Sequence, residues 1–314
     1  MSEVVAARPG APTTAVPQAI STSPFSRWRN PWRKPWVLFG FTWLYLAWSL
    51  LPVGIAVLFS FNVGRSRSAW QGFSLRWYYK DPVLSVWHDP DLHSALFQTL
   101  RLAAVATLIA VPIGVAFAIG IDRWRGRLPS AFNFQMLLSF VMPELIIGVT
   151  LLFVFTSLFT FVRLGTTAQV LGLVTFQMSY PVIIVRARML SIGKEYEEAA
   201  MDLGASPIQA LRRVLLPMLS PAIFASAVLV FADVIDDFVI VRYLSSDAST
   251  EPMAVKIFSS ARAEPTPALN ALATIMLVVS LVVVLVGFLA YRRMTRGERE
   301  AKKLAIGEAV VTQF

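Results

Sequence analysis

The sequence predicts an all-α integral membrane protein with six transmembrane helices. Three observations carry that expectation. Of the 314 residues, 56% are hydrophobic and only 15% charged, with a mean hydropathy of +0.63. Six apolar runs are each long enough to cross hydrocarbon as a helix, which satisfies its own backbone groups where water cannot. The lysines and arginines gather in short segments beside those runs.

Taken in order, residues 1–24 are rich in Ala, Pro, Ser and Thr without an apolar period and are expected to be disordered. The whole segment 1–35 reads as a cytoplasmic tail that ends in RWRNPWRKPW (27–36), where cations alternate with tryptophans as at a lipid headgroup layer. A basic nucleic-acid patch is the other reading, and the apolar run that follows at once favours the membrane. That run, 36–61, is too long for a signal-peptide core and is expected to be an uncleaved first span. Residues 62–94 form an outer loop. The core, 95–292, holds the other five spans at 96–121, 134–161, 167–190, 216–244 and 268–291, and 293–314 is a second cytoplasmic tail.

With the N-terminus inside, nineteen lysines and arginines fall on the cytoplasmic side and nine outside, favouring both termini in the cytoplasm and a place in the cell (inner, cytoplasmic) membrane. Of the prolines within spans (Pro52, Pro112, Pro143, Pro181 and Pro221), most are expected to be packing features; Pro143 is the one expected to matter.

Several chemistries are excluded or disfavoured. There is no cysteine, hence no disulfide, thiolate metal site or cysteine nucleophile. No GxxxxGK[ST] string is present, so ATP and its magnesium belong on another chain and this one is expected to bind no cofactor. His88 and His93 in HDPDLH could be imagined on a metal but read as loop residues. With no catalytic grouping of serine, histidine and aspartate, the chain is expected not to be an enzyme.

Carboxylates within spans cost about 2.5 kcal/mol or more at mid-helix, so each points to a cavity, a partner or a function. Glu144 follows Pro143 in the third span. Asp233, Asp236 and Asp237 stand in FADVIDDFVIV, where helical spacing puts Asp233 and Asp237 on one face. Two readings stay open. Asp237 pairs with Arg242, or the aspartates touch other subunits. Alternatively the acids line a negative vestibule for a cationic substrate, with Tyr180, Phe231 and Phe238 available for cation–π contact.

The segment 191–217, SIGKEYEEAAMDLGASPIQALRRVLLP, is longer and more amphiphilic than any other connection on its side. Glu195, Glu197 and Glu198 open a helix where its dipole favours anions, Gly204 can end it, and Ser206 with Pro207 can cap and start a second helix over 207–215. A rigid elbow of two short helices about a glycine corner is expected.

Glu198, Ala199 and Ala200, then Asp202, Gly204, Ala205, Ser206 and Pro207, and finally Val214 before Leu216-Pro217, resemble the EAA loop of permeases in binding-protein-dependent ABC importers. Valine stands where that family more often has isoleucine. The resemblance covers roughly 95–292 and implies a type I permease fold. It also implies a coupling helix over 204–210 seated on an ATPase dimer, a second related permease, an extracytoplasmic solute-binding protein, and alternating access driven by ATP. The stretches MPELIIGVTLLFVF (142–155), DDFVIVRYLSS (236–246), PMAVKIFSSARAEPTPALNALATI (252–275) and FSLRWYYKD (73–81) resemble the C-type permeases of spermidine/putrescine importers, implying a polyamine cargo. Iron, sulfate or phosphonate importers, and an ion-coupled secondary transporter, are the alternatives.

Overall fold

A computed structural model describes residues 36–66, 69–124, 131–132, 134–135, 138, 141–263 and 266–295. The expected tails at 1–35 and beyond 295, the flanking cations Arg125 and Arg127, and several positions opening the third expected span lie outside the described residues. The chain divides into two compact units, 1–51 and 52–314.

Helix α1 (Trp36–Ser60) begins in the first unit, carries no charged residue and stays helical through Pro52. In the second unit, the expected outer loop is a folded lobe. Asp81 organises it: its Oδ1 accepts the backbone N–H groups of Val83 (3.1 Å) and Leu84 (2.9 Å), and its Oδ2 accepts Arg76 Nε (2.8 Å). Trp77 is fully buried and donates from Nε1 to the Asn62 carbonyl (2.6 Å). A small core of Trp77, Val86, Leu92, Leu96, Met253 and Leu272 packs this lobe onto the bundle.

Helix α2 (Pro90–Arg123) starts at an Asp89 cap, whose Oδ1 accepts Asp91 N–H (2.9 Å) and Leu92 N–H (3.2 Å), with Pro90 at the first helical position. Its buried face is small (Ala103, Ala106, Ala110, Gly114 and Ala118), so other helices come close. Gly114 shows how close: a Cβ there would stand 2.4 Å from Pro181 Cγ and 2.8 Å from the Met178 carbonyl.

Helix α3 (Glu144–Phe153) runs into a π turn (Val154–Leu158). The described residues 131–132, 134–135, 138 and 141 are already helical, and Pro143, extended at ψ 128°, interrupts the expected span there before α3 restarts at Glu144. Helices α4 (Thr166–Gln177) and α5 (Ser179–Ile192) form one span interrupted at Met178. The cause is Pro181, which has no N–H to return to the Gln177 carbonyl four residues back.

Helices α6 (Glu195–Asp202) and α7 (Pro207–Ala210) make the elbow. The second elbow helix is not the separate 207–215 helix expected. After Ala210 the chain widens into a π turn (Leu211–Leu215), with Leu216 N–H bonded to the Leu211 carbonyl, and continues as α8 (Leu216–Asp236). Pro217 explains the widening, because it cannot donate to the Arg213 carbonyl and its ring would crowd it.

The fifth expected span, 216–244, is broken. Helix α8 ends at Asp236, Asp237 turns extended (ψ 125°), and a short helix α9 (Val239–Leu244) follows. Helix α9 nests against α3 and α4, where a Cβ on Gly148 would meet Tyr243 at 2.9 Å and one on Gly172 would meet Leu244 at 2.6 Å. A buried amide network fastens this corner. Gln98 Nε2 donates to Gln169 Oε1 (2.8 Å), and Gln169 Nε2 donates to Ser245 Oγ and the Thr250 carbonyl (2.9 Å each). Helices α10 (Met253–Ala263) and α11 (Pro267–Met294) are the last described ones.

Among the described residues the fold is all helical, with one isolated antiparallel bridge, Asn62 to Phe73, and no strand. Among the described residues, five helices are long and apolar enough to cross a membrane: Trp36–Ser60, Pro90–Arg123, Thr166–Ile192, Pro207–Asp236 and Pro267–Met294. Glu144–Leu158 is a shorter apolar helix.

Candidate functional site

Two regions carry the predicted residues, one inside the bundle and one at its end. Within the bundle, the junction of α4 and α5, the end of α8 and the start of α3 converge. The Tyr180 hydroxyl hydrogen-bonds Asp233, and Glu144 and Asp237 lie within electrostatic reach of the same ring. Glu144 is exposed at the first turn of α3, where the helix dipole favours its charge.

The two adjacent aspartates differ. Asp236 is exposed at the last position of α8 and feels the charge of Asp233. Asp237 is 8% exposed and lies in the break, where its Oδ1 accepts the Val241 N–H (3.2 Å) in the first turn of α9. It serves as a cap for a helix that would otherwise begin with unsatisfied donors. The helical period therefore stops one residue short of Asp237, although Asp233 and Asp237 remain electrostatic neighbours. The pairing of Asp237 with Arg242 is not formed. Arg242 Nη1 instead meets Glu251 Oε1 at 3.1 Å.

Phe231 and Phe238 pack against the main hydrophobic core. The Phe238 ring tilts onto Phe258 (4.8 Å between centroids), and Phe258 already carries the Arg262 guanidinium on its face (4.4 Å). Sequence reading missed Gln177. It is fully buried at the end of α4, and its Nε2 donates to Asp233 Oδ2 (2.8 Å). The available signal was a long amide in an apolar run, four residues before Pro181.

At the bundle's end, the elbow has the local geometry its sequence predicts. Gly204 takes φ +90°, and Ala205 N–H returns to the Ala200 carbonyl (3.0 Å), closing α6. Ser206 and Gln209 form a reciprocal cap: Ser206 Oγ accepts Gln209 N–H (3.3 Å) and Gln209 Oε1 accepts Ser206 N–H (2.9 Å). Glu198, Ala199, Asp202, Ser206 and Pro207 are exposed, while Ala200 and Ala205 are half-buried. Two large apolar side chains are also exposed, Leu203 at 90% and Ile208 at 63%. A cleft of about 240 Å³ lies beside it, lined by Asp122, Arg123, Lys194, Glu197, Met201 and Pro207 among others, and Arg123 is ion-paired with Glu197 across it.

Comparison with known proteins is consistent with this architecture. The family described as "Binding-protein-dependent transport system inner membrane component" matches residues 110–300. The putrescine transport system permease protein PotI of Escherichia coli (strain K12) is 35% identical over 278 residues, 87% of this chain and 94% of its own. The spermidine/putrescine transport system permease protein PotC of Haemophilus influenzae is 32% identical over 253 residues, 81% of this chain and 95% of its own. A solved bacterial ABC transporter involved in the import of the acidic polysaccharide alginate aligns with a TM-score of 0.65 at 16% identity, covering 83% of this chain and 96% of that one, a likeness of fold alone. The chain belongs to the binding-protein-dependent transport system inner membrane components: it is a multi-pass ABC importer permease, not an enzyme, and ATP hydrolysis belongs to a separate subunit.

Proposed function

We propose that this permease imports a polyamine, putrescine or spermidine, through a path lined by Glu144, Asp233, Asp236 and Tyr180, with Asp237 shaping the path from behind. Two relatives above 30% identity carry polyamine names, and the carboxylates that line the bundle would attract an amine cation and repel an anionic cargo such as sulfate, phosphonate or alginate. The elbow serves as the EAA coupling loop. The observation that carries this part is the bare apolar pair Leu203 and Ile208 on a stiff, doubly capped corner, since apolar surface held out on a rigid element marks a docking site. Its occupant would be one member of an ATPase dimer, which holds ATP and magnesium.

The proposed topology has six spans, the sixth being 134–161, with both termini and the elbow cytoplasmic. A second, related permease completes the path, and a solute-binding protein docks on the outer lobe. Alternating access follows: closure of the ATPase pair pushes the elbow, and α7, continuous with α8 through the π turn, moves the helix that carries Asp233 and Asp236.

Purification in mild detergent with everything that stays bound, followed by an ATPase assay with binding protein and putrescine, tests both parts. A co-purifying ATPase stimulated by amine-loaded binding protein is the expected result. An ATPase indifferent to amines removes the cargo, and the absence of any ATPase removes the coupling assignment.

A further inference from the structure

Gln177 deepens the proposed polyamine path, on which this inference rests. A carboxylate accepts hydrogen bonds and cannot donate, so the amide group facing Asp233 Oδ2 at 2.8 Å must be the NH2, which fixes the carbonyl Oε1 as the group left over. That oxygen is buried and has no partner in the protein. Gln177 itself is fully buried, so an unmet acceptor is held beside a carboxylate. Tyr180 adds a third group, because its hydroxyl hydrogen-bonds the same Asp233 carboxylate and holds it beside Gln177.

We infer that Asp233, Gln177 and Tyr180 form a subsite for a primary ammonium group, with Gln177 Oε1 the acceptor that tells an N–H-bearing amine from a fully alkylated one. A primary ammonium has three N–H donors and no acceptor, and here it meets the charged Asp233 carboxylate and the unmet Gln177 Oε1, with Tyr180 orienting the carboxylate. A quaternary ammonium carries the same charge and would satisfy the carboxylate by attraction alone. It would leave the buried carbonyl unmet, and a site built to hydrogen-bond a ligand N–H rejects the analogue that lacks it. The kink at Met178 supports the arrangement: Pro181 breaks the span just where Gln177 and Tyr180 must turn toward α8.

The test uses the complete complex in lipid nanodiscs without binding protein. Its melting temperature is followed against millimolar 1,4-diaminobutane and against the same diamine with both nitrogens permethylated. Diaminobutane stabilises the wild type, the permethylated diamine does so at concentrations about tenfold higher or not at all, and Gln177→Leu loses the distinction. Equal responses of the wild type to the two diamines overturn the subsite whatever the variant does, and leave a water as the partner of Oε1. A Gln177→Leu protein that still discriminates overturns it as well. ATP-driven putrescine uptake by the same complex with its binding protein, measured in parallel, reports on the broader reading. Normal uptake with an unselective wild type removes the subsite and leaves polyamine import standing, whereas no uptake by the wild type removes polyamine import.

Discussion

Arg123, the last residue of α2, is ion-paired with Glu197 in the first turn of α6. The pair ties the elbow to the longest helix among the described residues. Both side chains keep some solvent, 38% and 16% exposed, so the pair stabilises the fold by less than about 1 kcal/mol. Its value lies in fixing where the elbow stands. Glu197→Arg is expected to leave the melting temperature nearly unchanged while raising the ATP hydrolysed per amine transported. The swapped double variant, Arg123→Glu with Glu197→Arg, restores the ratio, and a double variant as leaky as the single one removes the positioning role.

Gly204 occupies φ +90° with open space where a Cβ would go, so the cost of substitution there is conformational rather than steric. Gly204→Val is expected to deform the corner at about 1–2 kcal/mol locally while membrane insertion and yield stay normal. Transport falls several-fold, measured as uptake in proteoliposomes. Normal uptake by that variant argues against a coupling corner at this position.

Adjacent aspartates should behave differently. Asp237 caps α9 from a buried position, so Asp237→Ala costs about 1 kcal/mol of stability and loosens the packing around Gly148 and Gly172. Asp236 is exposed, so Asp236→Asn leaves the melting temperature in place and lowers uptake of a polycation. Thermal unfolding and uptake, measured on both variants, separate the two roles. Unchanged uptake in Asp236→Asn would make that residue structural.

The lobe at 62–94 depends on one ionised carboxylate. The Leu84 and Val83 N–H groups, and then Arg76, hold Asp81 at a pKa of about 2. A depressed pKa contributes stability above the unfolded value, about 3.9, and loses it as pH falls toward 2. The lobe is therefore expected to keep its protease resistance at pH 5 and lose it between about pH 4 and 2. Asp81→Asn loses about 2 kcal/mol at neutral pH and flattens that acid transition. An acid transition of the same shape in both proteins would place its origin elsewhere.

Much of this was legible in local sequence. The elbow could be read residue by residue because glycine, serine and proline specify backbone geometry over three or four positions, and Gly204, Ser206 and Pro207 sit as those rules require. Pro143 could be read for the same reason. The break after Asp236 could not: Phe238 and Val239 are ordinary helix residues in an apolar run, and what folds α9 back is its fit against Gly148 and Gly172, both distant in sequence. Arg242 went to Glu251 rather than Asp237 because the chain returns through the 248–250 turn, which no periodicity announces. Gln177 was hidden because an amide in a span looks like a tolerated polar residue until the helix that faces it is known.

The central claim is that ATP hydrolysed on another subunit drives an amine through this chain. Uptake of labelled putrescine into proteoliposomes that hold the assembled complex, with ATP supplied on the elbow side and loaded binding protein on the other, tests it most directly. The account predicts accumulation against a gradient that requires both ATP and binding protein and that falls in Gly204→Val. Putrescine entry that is indifferent to ATP, or its absence from a complex whose ATPase responds to a different loaded binding protein, would contradict it.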